Sequence, residues 1–136
     1  MSKLLARAKV NLKNAGSDYA LMGTDDAFVD DCCYNLQQAI EKTLKYIVEM
    51  NGAQYATNHD IRANINILNR MGAVCPAEKE LRNLASTLYE WETSTRYRDD
   101  FVAVKEDIDA AMKIAETVIA YADSLCVKVE LKDMNL

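Results

Sequence analysis

The chain has 136 residues, of which half are hydrophobic and 27% are charged, and its formal net charge is −5. It contains four glycines and one proline, whereas these two residue types together make up roughly 12% of average proteins. A β-sandwich or barrel needs turns every ~8–12 residues, so the composition argues strongly against such folds. It predicts one domain of a few long helices, and the acidic balance argues against strong non-specific nucleic-acid binding by the whole chain.

The first part of the chain predicts two helices. The first begins after Ser2 as N-cap, and breaks are expected at residues 16–18 and 23–25, with a short helical piece between them. The second begins at Asp25 or Asp26 and ends at residues 51–52, where glycine is a usual helix terminator. Its apolar residues recur at spacings of three and four, namely Phe28, Cys32, Leu36, Ala39, Ile40, Leu44 and Ile47.

Two more helices are predicted in the middle of the chain. The third starts at Asn58 as N-cap and ends at Gly72, and the fourth begins near Pro76, a residue favoured at the first helical position. Residues 92–99 show no apolar periodicity and are predicted to form a connection without glycine or proline.

The last predicted helix covers about residues 100–125, and residues 127–131 alternate apolar and polar, which indicates a short strand or a fraying tail. The predicted fold class is all-α: an antiparallel up-and-down bundle of four long helices plus a short helix. We expect the bundle at residues 1–126 and a C-terminal tail at 127–136. Because no run is long enough for a secretory signal or a membrane span, a cytoplasmic location is expected, without membrane association.

The sequence predicts neither a metal site nor a cofactor. The four cysteines form no CxxC pair, and His59 is the one histidine, so a zinc site is not expected. Phosphate-binding glycine loops and a GxSxG nucleophile turn are also missing. We interpret the cysteines as small, buried or half-buried residues in a reducing compartment: Cys32, Cys33, Cys75 and Cys126.

Two features of the sequence are candidates for function. His59 either packs at the start of the third helix with local hydrogen bonds, or acts as a base or ligand contact in a cleft beside that helix. In the segment Arg96, Tyr97, Arg98, the guanidiniums can bind phosphate, the phenol can stack on a base, and the next helix N-terminus favours anions. Alternatively, the two acids that follow pair with the arginines and make a solvated junction without a ligand.

Several segments, taken in order, resemble the HEPN domain, a name that abbreviates "higher eukaryotes and prokaryotes nucleotide-binding". They are residues 37–45 (QQAIEKTLK), residues 59–61 (HDI) opening the next helix, and residues 96–97 (RY), together with residues 5–8 (LARA) and the alanine-rich last helix. The similarity covers roughly residues 1–126. It implies an all-α bundle that commonly forms a homodimer. Many members are RNases that act as toxins, often with a minimal nucleotidyltransferase as antitoxin.

The nuclease motif of that family is an arginine followed, after four to six residues, by a histidine. Arg96 matches the arginine by position, but the histidine positions hold Phe101, Val102 and Ala103. Counting from Arg98 gives no histidine either. A positioned acid or base increases the rate of metal-independent RNA cleavage typically ~10²–10⁴-fold. Arginine cannot act as that acid or base, because its pKa exceeds ~12.

Three hypotheses follow from the sequence. The leading one is a HEPN-like protein without an intact nuclease motif that binds a nucleotide, RNA or a partner protein through Arg96, Tyr97, Arg98 and His59. It would form a homodimer, with a minimal nucleotidyltransferase of a toxin–antitoxin-type system as a further candidate partner. The second is a divergent metal-independent RNase that uses Arg96 with His59 or an acid in place of the missing histidine. The third is a purely structural protein-interaction bundle.

Overall fold

A computed structural model describes residues 2–97 and 99–134, apart from the side chains of residues 96, 97 and 129–134. The described chain is all-helical, as predicted, with four long helices and one short one. They are α1 (Leu4–Leu21), α2 (Asp26–Met50), α3 (Ile61–Arg70), α4 (Glu78–Tyr97) and α5 (Lys105–Met134).

Helix α2 lies at the centre of the bundle and contacts all four other helices. Its predicted apolar stripe is the core of the protein, and Leu36, Ile40, Leu44 and Ile47 are fully buried. This follows from the spacing of three and four, which puts these side chains on one side of a helix. Trp91 of α4 is 2% exposed and packs against the same core, so α4 is fixed along α2 up to its last turns.

Acidic side chains cap two of the helices. Asp25 has an extended backbone and accepts a hydrogen bond from the Ala27 amide at 2.8 Å, so it caps α2 as predicted. The predicted cap of the third helix is wrong: Asp60, not Asn58, accepts from the Arg62 amide at 3.0 Å and caps α3. Asn58 instead accepts from the Asp60 amide at 3.1 Å and forms the turn before the helix.

Helix α1 continues through the break predicted at residues 16–18. Ala15 is fully buried and Asp18 is 8% exposed, so both sides of Gly16 are held in the helix interface. A glycine inside a helix costs about 1 kcal/mol relative to alanine, and packing of α1 on α2 exceeds that cost. The second predicted break is confirmed, because α1 ends at Leu21.

Three predictions about the last third of the chain are wrong. Residues 92–97 are helical rather than a connection, because Glu92 and Ser94 are buried and extend the packed face of α4 beyond Trp91. The last helix begins at Lys105 rather than at residue 100. Residues 127–131 continue α5, so the strand alternative for this segment is wrong, since the described chain offers no strand with which to share hydrogen bonds.

The cysteines are free thiols, as interpreted from the sequence: Cys32 and Cys33 are buried, and Cys75 and Cys126 are half-buried. Burial raises the pKa of the Cys32 thiol to about 12, so this sulfur stays protonated at neutral pH. Of the described helices, none is long and apolar enough to cross a bilayer.

Candidate functional site

The candidate site lies where the middle of α2 faces the segment before α3 and the last turns of α4. Its centre is His59, whose Nδ1 is 2.9 Å from Oε1 of Glu41 on α2. The other ring nitrogen, Nε2, is 3.7 Å from Oε1 of Glu92 on α4. The imidazole is 51% exposed, whereas the two carboxylates are 5% and 10% exposed. A solvent-facing ring is therefore held between two nearly buried acids.

The two nitrogens of His59 have different roles. An ionised Glu41 carboxylate accepts a hydrogen bond from Nδ1–H, which leaves Nε2 as the acceptor of the neutral ring. The distance from Nε2 to Glu92 is longer than the 2.7–3.2 Å of a hydrogen bond. Nε2 can therefore bind an additional donor from solvent or ligand, or take up a proton and form an ion pair with Glu92.

A network of buried amides fixes the position of Glu41. The Gln37 side chain is fully buried and donates to Glu41 Oε1 at 3.3 Å, and Gln38 donates to Gln37 at 2.6 Å. On the other carboxylate oxygen, the Lys45 ammonium lies 3.7 Å away. Buried polar groups are costly unless they are hydrogen-bonded. Here both oxygens of Glu41 have partners on α2, and these partners hold the carboxylate in its orientation toward His59.

The segment that carries His59 is held by Asn64 of α3. This side chain is 1% exposed, accepts from the Ala56 amide at 2.8 Å and donates to the Ala56 carbonyl at 3.2 Å. At the same end, the Lys45 ammonium lies 5.5 Å from the centre of the Tyr55 ring, a cation–π arrangement. The segment is therefore anchored to α2 and α3 before it reaches the histidine.

The predicted site residues Arg96 and Tyr97 are the last two residues of α4. Their side chains, and Arg98 as a whole, lie outside the described residues, so the pairing of these arginines with the following acids stays a prediction. Arg96 follows Glu92 by four residues, which is about one helical turn or ~6 Å along the axis. The backbone thus brings the end of α4 next to the histidine that contacts Glu92.

A shallow cavity adjoins the same end of α4. It has a volume of about 310 Å³ and is lined by Ala27, Asp30, Asp31, Tyr34 and Thr95. This is at the lower limit of small-molecule sites, which measure roughly 300–1,000 Å³. Burial, and then the charge of Asp26, raise the pKa of the Asp30 carboxyl. The cavity therefore adds an aromatic ring and hydrogen-bond acceptors to the surface beside Arg96.

Sequence reasoning found His59 and missed both of its carboxylate partners. The Glu41–Lys45 pair has the spacing of a pair on a helix surface, but Glu41 is 4% exposed. Glu92 was missed because it fell in the predicted connection. The sequence did indicate a buried polar group here, because residues 37, 38 and 41 are polar and lie at the centre of a helix with many apolar residues. Among the side chains that the structure describes, no three from His, Cys, Asp or Glu are arranged to hold a metal ion.

The fold and the site define an all-α bundle with a solvent-open histidine site between its second and fourth helices. The family model of the HEPN domain matches residues 1–125. The chain therefore belongs to the HEPN domain family, as the sequence resemblance indicated. The family is nucleotide-binding or RNase-like, and its domains often dimerise. The chain matches no curated protein and no solved structure.

Proposed function

We propose that this chain is a HEPN-domain protein that binds the phosphate of a nucleotide or of RNA on the surface between His59 and Arg96. The observation that carries the proposal is the approach of His59 to Glu92, one helical turn before Arg96. On this basis we infer that two features 37 positions apart in the sequence contribute to one surface.

Phosphate is the ligand group that suits these residue types. A guanidinium binds two phosphate oxygens through parallel N–H···O bonds, and His59 Nε2 donates a third bond when the ring is protonated. The chain as a whole is acidic, with a net charge of −5. Binding must therefore depend on a few local cations, and it should weaken as salt is added.

The second candidate function is a metal-independent RNase, and the half-exposed imidazole of His59, whose Nε2 has no hydrogen bond to Glu92, favours it. In that reaction the 2′-hydroxyl oxygen attacks the adjacent phosphorus and gives its proton to Nε2. The bond to the 5′-oxygen breaks, and this oxygen leaves with a proton supplied by a water molecule. Arg96 would stabilise the charge on the phosphoryl oxygens. The products are a 2′,3′-cyclic phosphate and a 5′-hydroxyl.

The remaining functional hypotheses concern partners. A homodimer agrees with the family, whose domains often dimerise. A minimal nucleotidyltransferase partner in a toxin–antitoxin-type system and a purely structural role stay predictions from the sequence. Light scattering of the purified chain, alone and after co-expression with the neighbouring gene product, tests the first two. A purely structural bundle would bind neither RNA nor nucleotide.

The test of the proposed function is fluorescence anisotropy with a short labelled single-stranded RNA and with a labelled ATP analogue, at low salt. We expect Arg96→Ala and His59→Asn each to weaken binding roughly tenfold, equivalent to about 1.4 kcal/mol. The matched control is Arg82→Ala, since Arg82 is also on α4 but bonds to Glu78 and Asn66. Equal binding by the Arg96 and Arg82 variants would refute the proposal.

The same samples distinguish binding from catalysis. After incubation with RNA and a chelator, products with cyclic phosphate ends that disappear in both the Arg96 and His59 variants would establish the RNase. RNA that stays intact while wild-type binding is measurable supports the binding function.

A further inference from the structure

A second polar cluster lies between α1 and α2. Asp18 of α1 is 8% exposed, although an aspartate at such a position is normally paired with a cation. The Asn35 side-chain nitrogen on α2 is 3.4 Å from Asp18 Oδ2 and 3.1 Å from Asp31 Oδ2. The two carboxyl groups share this one donor, so their oxygens cannot be farther apart than the sum of these distances. Carboxylates this close disfavour each other's ionisation.

No cation compensates the pair within the part of the chain whose side chains are described. Hydrogen bonds connect the pair to a positive charge through two amides: Lys42 donates to Asn11 at 2.7 Å, and Asn11 donates to Asn35 at 2.8 Å. This link holds the Asn35 amide with its nitrogen toward the acids. It does not put an ammonium group beside them.

The groups that face Asp18 from the neighbouring helices are acidic or neutral. On α2 these are Asp31 and the Cys32 thiol. Helix α5 contacts the neighbouring residue, where Asp109 accepts a hydrogen bond at 2.6 Å from Tyr19. A proton shared between Asp18 and Asp31 is therefore the simplest way to relieve their repulsion.

We propose that Asp18 and Asp31 form a proton-dependent clamp that holds the C-terminal half of α1 on α2. The clamp is closed while the two carboxyl groups share a proton, and it loosens when both are ionised. The inference rests on the α1–α2 interface and not on ligand binding, although Asp31 also lines the cavity beside the end of α4. Cys32 belongs to the same interface, since its sulfur lies 3.5 Å from the carbonyl oxygen of Ala15, one turn before Asp18.

The pKa of Asp18 sets the range in which the clamp responds. Burial first, and then the hydrogen bond and charge of Asp31, raise the pKa of Asp18 from its ordinary 3.8 to about 7. The folded protein thus holds this proton more tightly than the unfolded chain does. The stabilisation is complete below about pH 4 and is lost as the pH rises through about 7, so α1 should open more easily in mildly alkaline solution.

The test is hydrogen–deuterium exchange of full-length protein between about pH 6 and pH 8, corrected for the intrinsic pH dependence of exchange. One ionisation centred near pH 7 predicts roughly tenfold less protection of α1 peptides at the higher pH, with α3 peptides as internal reference. Asp18→Asn should remove this pH dependence. Glu116→Gln, which neutralises an exposed acid on α5, should keep it.

Two results would overturn the clamp. One is wild-type α1 protection that does not change with pH, and the other is a decrease in Asp18→Asn as large as in wild type. If Asp18→Asn does not fold, Asp31→Asn replaces it, because neutralising either carboxyl group should remove the repulsion. An Asp31→Asn protein with the wild-type pH dependence would then count against the proposal.

Discussion

The contact between Glu41 and His59 predicts a measurable coupling energy. A hydrogen bond to a charged group contributes about 1.5–3 kcal/mol when it is protected from solvent. The bond measures 2.9 Å, and its carboxylate is 5% exposed, but the imidazole is 51% exposed. Solvent screening on the histidine side reduces the value, and we expect a coupling of about 1 kcal/mol between Glu41→Gln and His59→Asn in a double-mutant cycle.

The two substitutions of Glu41 should lower the free energy of unfolding by different amounts. Glu41→Gln keeps the shape of the side chain and its hydrogen bonds to Gln37, so most of the buried network survives. Glu41→Ala leaves the Gln37 amide without its acceptor and Lys45, 12% exposed, without its counter-ion. Breaking a buried pair from one side costs up to about 3–5 kcal/mol. With Lys45 still against the Tyr55 ring, we expect about 2 kcal/mol.

The assay is urea unfolding of the four proteins in the cycle, followed by circular dichroism at neutral pH. The control cycle uses Glu78 and Arg82, an i,i+4 pair that is 37% and 39% exposed, for which about 0.3–0.5 kcal/mol is expected. If the Glu41–His59 coupling is no larger than the control value, the carboxylate does not hold the ring. The orientation of Nε2 on which the proposed site depends would then be wrong.

Three further predictions concern residues at helix boundaries. Ala77 has φ +52° just before α4, a conformation that costs a non-glycine residue roughly 1–2 kcal/mol. Ala77→Gly should therefore raise the free energy of unfolding by about 1 kcal/mol in urea titrations. Gly72→Ala, at φ +68°, should lower it by a similar amount. An Ala77→Gly protein less stable than the wild type would contradict this reasoning. Asp60→Ala removes the cap of α3 and should cost about 1 kcal/mol. The Arg62 hydrogen bond lowers the pKa of Asp60, so the stabilisation by the Asp60 cap should be present at neutral pH and disappear as the pH falls below ~4. Unfolding of the wild type and of Asp60→Ala at pH 7 and at pH 3 measures how much of this stabilisation is lost.

The sequence predicted the fold because α2 has a clear apolar period and the long helices end where glycine or an acidic cap allows it. Asp25 and Gly52 mark such ends, and the structure confirms both. The errors occurred where packing overrides local preference. Gly16 lies inside α1 because its helical neighbours are buried against α2, and Glu92 lies inside α4 because it extends the packed face next to Trp91. Neither burial is visible in a local pattern.

The site could be predicted only in part, for a related reason. His59 was singled out by its position before a helix and by being the one histidine. Its partners come from α2 and α4, which are 18 and 33 positions away in the sequence, and only the packing of these helices makes them neighbours. The charge of Glu41 indicated a surface residue, because acids are rarely buried unless they are paired. The histidine that pairs with it is not on the same helix.

The buried polar network favours a ligand-binding protein over a purely structural bundle. Gln37, Gln38 and Glu41 occupy buried positions on the central helix, where apolar side chains of similar volume are often equally or more stabilising than ionic ones. Their hydrogen bonds do not end within the core. They lead to His59, whose imidazole is half-exposed and whose Nε2 is too far from Glu92 for a hydrogen bond. In a bundle that served only as a scaffold, orienting the half-exposed imidazole would contribute only the coupling of about 1 kcal/mol. A protein that binds phosphate beside Arg96 requires such a group, because a fixed donor costs less entropy when the ligand binds.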